Sequence, residues 1–315
     1  MKNIVDLKKC ALFALVMLSS CSKEEVASPG IKSDLISVSA EIGGTNNSNL
    51  RYAGSIASTS FANEDAIGVF LDAENTPVKW TYNGSNWSSA SIVYWPDKEN
   101  NHQFKAFYPY ASASDQTAVP MPSLASQEGN FDNLGKYDFL VATKEQSCAT
   151  SSTVTFTSEN AFKHVSALVE LKIKGTEDLK NATLNSVKLS GAGIASASTY
   201  SFASNQVTAG GESAVNDVVL SNLSHAMNGT DAVLYLVANP VTSGKLSLEI
   251  AYSNNGTNYK ATLTDINPAN LQGSKKSTLS LNIKENKITL SGNEITDWGE
   301  GGSLGDVTIG GDVQL

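Results

Sequence analysis

The sequence predicts an all-β protein made of two antiparallel β-sandwich domains in tandem. Apolar and polar residues alternate with a period of two in many short segments, Asn-Gly dipeptides separate some of these segments, and runs of helix-forming residues are scarce. Such alternation gives a strand one buried face and one wet face, as in antiparallel sandwiches. Without residues 1–20 the chain has about 295 residues, which is enough for two domains of ordinary size.

The first twenty residues are typical of a lipoprotein signal peptide. Lys2, Lys8 and Lys9 form a basic start, and the apolar run over residues 10–18 is too short to cross a hydrocarbon core of about 30 Å. Small residues then precede Cys21, whose thiol would be acylated after cleavage. We therefore expect an exported lipoprotein precursor that reaches the outer membrane and binds the lipid bilayer through Cys21. An ordinary signal peptide with a chance cysteine is the alternative.

Charge and cysteine content exclude two further properties. Removal of residues 1–20 leaves 19 basic and 30 acidic residues, a net charge of −11 compared with −9 for the whole chain. Such a surface repels phosphate backbones, so we expect no nucleic-acid partner. With Cys21 acylated, Cys148 stands alone, and no intramolecular disulfide is expected.

The strands are predicted in chain order from their alternation. Residues 36–42 come first, followed in the second half of the chain by residues 165–173, 246–252 and 279–283. Residues 232–237 are nearly all apolar and are predicted to form a central strand.

Turn dipeptides and a change in composition divide the chain. Asn83-Gly84, Asn228-Gly229 and Asn255-Gly256 are predicted tight turns. The first half carries most of the tryptophan, and the second half is a more regular series of strands. We place a domain boundary near residues 158–164, with an N-terminal domain over 52–160 and a C-terminal domain over 161–315.

No pattern in the sequence indicates catalysis, a metal or a cofactor. The three histidines, His102, His164 and His225, are far apart and lack metal-ligand spacing, and His164 is expected to be a partly buried structural residue. Six aromatic residues could stack on a sugar, but their position in strand-like runs favours core packing instead. They are Trp80, Trp87, Trp95, Phe104, Phe107 and Tyr108. Carboxylates brought together from distant strands remain a weaker, hydrolase alternative.

Several segments together resemble the fimbrillin family, the subunits of type V pili. They occur in order as DAIGVF (residues 65–70), YWP followed by FKAFYPY (94–96 and 104–110), YDFLVA (137–142), FKHVSA (162–167) and ITDW (295–298). The resemblance implies a lipoprotein precursor with two transthyretin-like β-sandwich domains. It also implies a structural subunit, in the stalk or at the tip, whose partners are other pilin subunits joined by β-strand addition.

The same resemblance makes Arg51 a candidate processing site. Fimbrillin precursors are cut by an arginine-specific protease after their first strand, and Arg51 is the only arginine in the chain. It follows the predicted strand over 36–42, so the mature protein would begin at Tyr52 and residues 21–51 would be a lipidated prosegment. A solvated surface arginine is the alternative.

Loss of the first strand would open a groove for a strand from a neighbouring subunit, and the C-terminus supplies a candidate. Within the terminal donor-strand candidate, residues 303–315, Val307, Ile309, Val313 and Leu315 fall on one face of a strand. Pairing of this segment within its own domain is the alternative. Two other functions stay open: a pilus anchor that keeps its lipid, and a carbohydrate-binding surface lipoprotein.

Overall fold

The computed structural model describes residues 34–43, 60–112, 115–210, 216–227, 231–267, 271–284 and 287–298. The strands are β1 (Ser37–Ala40), β2 (Ala66–Leu71), β3 (Val78–Tyr82), β4 (Trp87–Ser88), β5 (His102–Tyr108), β6 (Val119–Pro120), β7 (Ser126–Gln127), β8 (Leu140–Gln146), β9 (Thr153–Phe156), β10 (Lys163–His164), β11 (Ala167–Gly175), β12 (Thr183–Gly191), β13 (Ser198–Ser201), β14 (Gln206–Ala209), β15 (Asp217–Leu220), β16 (His225–Ala226), β17 (Ala232–Ala238), β18 (Leu246–Asn254), β19 (Thr257–Ile266), β20 (Lys275–Lys284) and β21 (Lys287–Asp297). Three short 3-10 helices cover Phe131–Lys136, Ser158–Asn160 and Glu177–Leu179. The all-β prediction is confirmed. Among the described residues, no helix has the length and apolar character needed to cross a membrane.

The first half of the chain forms a six-stranded antiparallel sheet in the order β10-β8-β5-β2-β3-β4. Beside it, β1 and β9 form a separate parallel pair. Side chains from both enclose one hydrophobic cluster, which we call the aromatic core because it holds Trp80, Trp87, Trp95, Phe61, Phe104, Phe156 and Phe162. Aliphatic residues of β1, β2 and β8 complete it.

The second half of the chain forms two further sheets. One has the order β17-β11-β20-β21 and the other β19-β18-β12-β15-β7. Their facing sides bury the aliphatic core, which is built mainly from leucine, isoleucine and valine. Alternation along β18 is regular, with Leu246, Leu248, Ile250 and Tyr252 all buried, as the sequence predicts.

Residues 119–136 reach across to this second half. β6 pairs with β13, β7 pairs with β15, and both Leu124 and Leu134 join the aliphatic core. Residues 119–136 precede the predicted boundary at 158–164 and yet contribute to the second core. The boundary therefore stays a prediction.

A small aromatic cluster covers the outer face of the six-stranded sheet. The three-stranded sheet β14-β13-β6 brings Tyr200 and Val119 against Phe70, Phe107 and Phe139. Strand β2 is therefore buried on both faces, which explains its nearly unbroken apolar sequence.

Gly68 of β2 leaves room for one of these rings. A Cβ atom at Gly68 would lie 2.4 Å from Cε1 of Phe107, well inside van der Waals contact. Two of the motifs found in the sequence, DAIGVF and FKAFYPY, can therefore pack closely because Gly68 has no side chain.

The described turns agree with the predictions from the sequence, whereas the position of one strand does not. Asn83-Gly84 joins β3 to β4, and Asn255-Gly256 joins β18 to β19 with both residues at positive φ. Residues 228–230 lie outside the described part of the chain. The expectation that residues 232–237 form a central strand is wrong, because β17 lies at the edge of its sheet.

The exposed edge of β17 is nevertheless covered by residues from an earlier part of the chain. The side-chain amide of Gln127 donates to Val237 O at 2.7 Å, and Gln127 Oε1 accepts from Val237 N at 2.9 Å. Tyr235 N donates to Gly129 O at 2.8 Å. These bonds satisfy the strand edge as a neighbouring strand would, so an apolar sequence is tolerated there.

Candidate functional site

Residues 34–43, which we call the N-terminal segment, complete the aromatic core. Its strand β1 runs parallel to β9, with Ser37 opposite Thr153 and Ala40 opposite Phe156. Side chains alternate as predicted: Ile36, Val38 and Ile42 are buried, whereas Ser37, Ser39 and Glu41 are exposed. Burial of three such apolar side chains contributes roughly 1.5–3 kcal/mol each before ordering costs.

The backbone of the N-terminal segment is bonded along its length. Near its start, Ile36 N donates to Val93 O at 2.9 Å and Trp95 N donates to Asp34 O at 3.0 Å. Toward its end, Glu41 N donates to Phe156 O at 3.0 Å.

The last bonds join the segment to Phe162. Phe162 N donates to Glu41 O at 2.9 Å, and Gly43 N donates to Phe162 O at 2.8 Å. The groove that holds the segment is thus bounded by residues 93–95, strand β9 and residues 161–162.

Two polar side chains on the wet face of the segment also bind the groove. Ser37 Oγ lies 2.7 Å from Thr153 Oγ1, and the carboxylate of Glu41 accepts a hydrogen bond from Ser158 N. These two contacts help to fix the register of the segment in the groove, because a shift along the groove would break both.

Asp34 ties the start of the segment to the only free cysteine among the described residues. The Cys148 thiol donates to Asp34 Oδ2 at 3.3 Å, and Lys98 Nζ lies 3.3 Å from the same oxygen. Hydrogen bonds from the thiol and from the Lys98 ammonium lower the pKa of the Asp34 carboxyl. Burial, reinforced by the Asp34 carboxylate, raises the pKa of the Cys148 thiol. The thiol is therefore held protonated beneath the segment.

The walls of the groove are aromatic. Phe61 lies 4.8 Å from Trp87 and 5.4 Å from Phe162 between ring centroids, and Phe156 lies 5.7 Å from Phe162. The six aromatic residues considered for sugar stacking are all buried, so they offer no exposed platform. Their assignment to core packing is confirmed.

The described contacts of the N-terminal segment with this core are non-covalent and involve residues distant in sequence. Its strand partner, β9, follows more than a hundred residues later, as the separation of 116 residues between Ser37 and Thr153 shows. Such a first strand can leave without separating any other two described strands, because β1 does not lie between two strands of a sheet.

The predicted processing and donor residues lie outside the described part of the chain. They are Cys21, Arg51, Tyr52, Val307, Ile309, Val313 and Leu315. Lipidation, cleavage and donation by these residues therefore stay predictions. The structure does describe the groove that holds residues 34–43.

Three of the motifs meet at one buried point beside the groove. His164 Nδ1 lies 2.8 Å from Asp138 Oδ2, and the His164 ring stacks on Trp298 with centroids 4.3 Å apart and planes at 6°. The histidine is buried, as predicted, although more fully than expected. YDFLVA, FKHVSA and ITDW are therefore linked by packing of their Asp, His and Trp residues.

His102 has partners that its sequence spacing did not reveal. Its Nδ1 lies 2.7 Å from Asp72 Oδ2, and its Nε2 lies 3.5 Å from Asp97 Oδ2. The described residues contain no group of three or more His, Cys, Asp or Glu side chains suited to a metal ion. The contacts join two loops at the edge of the aromatic core.

Comparison with known families decides what kind of protein carries this groove. The fimbrillin-like family matches residues 54–298, most of the chain. The chain belongs to the fimbrillin-like family. This confirms the resemblance found in the sequence, and no curated protein matches this fimbrillin-like chain.

Two solved structures share its fold. One is a candidate cell adhesion protein from Bacteroides ovatus, with a TM-score of 0.57 and 16% identity over 84% of this chain and 96% of its own. The other is a candidate cell adhesion protein from Bacteroides uniformis, with a TM-score of 0.54 and 18% identity over 85% of this chain and 100% of its own. At this identity the likeness concerns the fold alone.

Proposed function

We propose that this fimbrillin-like chain is a structural subunit, a stalk or tip pilin, of a type V fimbria on the cell surface that supports adhesion. It is exported as a lipoprotein precursor through Cys21 and cut after Arg51. Its N-terminal segment then leaves the groove, and a strand from a neighbouring subunit takes its place. The role is structural and not enzymatic.

The single observation that carries this proposal is the way residues 34–43 close the aromatic core. They supply three buried apolar side chains and backbone hydrogen bonds along their length, yet their strand partner β9 follows more than a hundred residues later. Once they leave, the backbone edge of β9 and the apolar groove are exposed, which is a template for another strand.

Limited proteolysis of residues 22–315, the exported chain without its acylated Cys21, tests the proposal. An arginine-specific protease should cut once, because Arg51 is the only arginine, and the new N-terminus should be Tyr52. Size-exclusion chromatography and electron microscopy should then show polymers that the uncut chain lacks. The Arg51→Ala variant is the matched control and should stay monomeric.

Cys148 gives a second readout on the same sample. Its thiol is buried beneath Asp34, so thiol labelling should be slow in the uncut chain, fast when the segment has left, and slow again in the polymer. A cut chain that stays monomeric would contradict strand exchange. Surface filaments whose subunits begin at Cys21 would instead identify a lipid-retaining anchor.

A further inference from the structure

A small pocket opens where the six-stranded sheet meets the hairpin of β13 and β14. Strand β10 pairs with β8 over two residues only. Just before β10 the chain turns away from β8, because Phe162 bonds to Glu41 and Gly43 of the N-terminal segment. Farther along, the Asn160 side-chain amide donates to Thr143 O at 3.1 Å and closes the gap again. The space between these two closures is a pocket of about 120 Å³, which we call the hairpin pocket.

The hairpin pocket has a buried, largely apolar base and an exposed, polar rim. The base consists of the buried lining residues Ala142, Ala161 and Tyr200. The rim consists of the exposed lining residues Glu159, Lys163 and Asn205. A ligand that fits must therefore combine a face of C–H groups with hydrogen-bonding groups around its edge.

Hydrogen bonds within the protein decide which groups the rim offers. The Tyr200 hydroxyl donates to Asn205 Oδ1 at 3.1 Å, so the Asn205 carbonyl is engaged and its two amide N–H groups remain for a ligand. The side chains of Glu159 and Lys163 make no hydrogen bond or ion pair with another described residue. The rim thus offers a carboxylate acceptor together with amide and ammonium donors.

This mixture of donors and acceptors selects among ligand classes. A phosphate or a carboxylate would gain the Lys163 ammonium but would meet the like charge of Glu159, and a cation would meet the opposite difficulty. A hydroxyl group both donates and accepts. A sugar ring with neighbouring hydroxyls can accept from Lys163 and Asn205 and donate to Glu159, while its C–H face lies on the apolar base.

The size of the pocket limits the sugar to a single ring. Its volume equals that of about four water molecules at roughly 30 Å³ each, so one ring can enter in part or in full, and two cannot. We propose that the hairpin pocket binds the terminal residue of a glycan, a neutral hexose held by Glu159, Lys163 and Asn205. This inference deepens the proposed function, on which its adhesive role rests, by naming the chemistry of the surface that the fimbria contacts.

Nuclear magnetic resonance of the uncut chain, residues 22–315, tests the pocket with three neutral sugars, D-glucose, D-galactose and D-mannose. Saturation of the protein should transfer to at least one of them, with a Kd of about a millimolar, as expected for a few hydrogen bonds to one ring. The side-chain amide signal of Asn205 should shift as that sugar is added. This signal is assigned by its loss in the Asn205→Asp variant.

Two conservative variants probe single groups of the rim. Glu159→Gln removes the charge of the acceptor, and Asn205→Asp removes the amide donors but keeps an oxygen for Tyr200 and a residue type that tolerates the φ of 54°. Each should weaken sugar binding about fivefold to tenfold. The matched controls are Glu177→Gln, also exposed in a short 3-10 helix, and Asn222→Asp, also exposed at a φ of 57°. Both controls should leave the Kd unchanged.

The outcomes distinguish this inference from the pilus proposal. Absence of saturation transfer to all three sugars, or binding unchanged in both rim variants, would overturn the sugar site. A shift of the Asn205 amide with inorganic phosphate and with none of the sugars would overturn the ligand class. Polymers formed by a cut chain that binds no sugar would contradict this inference alone. Sugar binding by a chain that never polymerises after cutting would contradict the proposed function, and the sugar site itself would stand.

Discussion

The aromatic core takes part of its wall from residues 34–43, whose strand partner β9 follows more than a hundred residues later. The aliphatic core is enclosed mainly by long strands between residues 167 and 298, several of them nine to eleven residues long. Both cores bury apolar side chains well. They differ in how their walls are connected, because β1 in the wall of the aromatic core pairs with one strand only, and the proposed strand exchange would take place there.

The strand connections explain the difference. In the aliphatic core, β18 and β19 are joined by a two-residue turn, and β20 lies between β11 and β21. Removal of one of these strands would break its pairing with the strands on both sides, or would break the tight turn that joins it to the next strand. By contrast, β1 pairs with one described strand only, β9, and its ends are held by isolated bridges.

The largest expected effect comes from removing the N-terminal segment without supplying a donor. In a chain of residues 52–302 we expect amide hydrogen exchange to accelerate by orders of magnitude in β2, β5 and β9, and little in β11, β18 and β20. The physical reason is the loss of three buried side chains, roughly 5–9 kcal/mol gross. Hydrogen-exchange mass spectrometry measures this.

Addition of a peptide with the sequence of residues 34–43 should restore protection in the aromatic core alone. Equal loss of protection in both cores would show that they unfold as one unit, and the comparison would fail.

Two alanine substitutions in buried strands should act differently because of their location. Ile250→Ala in β18 should cost about 2–5 kcal/mol and lower the melting temperature of the whole chain. Val38→Ala in β1 should cost about 1–2.5 kcal/mol and act mainly by releasing the N-terminal segment. Thermal unfolding together with the labelling rate of Cys148 separates the two.

For Val38→Ala the expected result is faster labelling of Cys148 with a small change in melting temperature. A Val38→Ala variant with unchanged labelling would show that the segment does not open independently. Val233→Ala, at an exposed position, controls for substitution in a strand.

The smallest expected effect is a pH dependence of segment docking. Because the pKa of Asp34 is lowered in the folded protein, its contribution is present above the ordinary carboxyl pKa and lost as pH falls through the lowered value. Because the pKa of Cys148 is raised, its contribution is present below the ordinary thiol pKa and lost as pH rises through the raised value. Docking should therefore be strongest at intermediate pH.

Release of residues 22–51 from the cut chain, followed by size-exclusion chromatography across pH, measures this effect. The Asp34→Asn variant should lose the acid limb and Cys148→Ser the alkaline limb. Unchanged acid release in Asp34→Asn would assign the pH dependence to other groups.

Much of the first strand and its groove could be predicted from local sequence. The alternation over residues 36–42 correctly identifies the buried and exposed faces of the first strand, and Asn255-Gly256 correctly marks a hairpin. The same local reasoning predicts β17 as a central strand, which is wrong, because an apolar run does not reveal which groups cover its edge. Here Gln127 and Gly129 cover the edge of β17, and Gln127 lies more than a hundred residues before its partner Val237.

The sequence by itself determined that the chain is all-β, which residues of the first strand face inward, and which family it resembles. Side-chain alternation and turn chemistry are properties of neighbouring residues, so they can be read without knowing the partners. Only the tertiary structure decided that residues 34–43 lie parallel to β9, that Asp34 covers Cys148, and that Asp138, His164 and Trp298 meet. Those contacts depend on how distant strands close around a core, and no local pattern in one sequence specifies that closure.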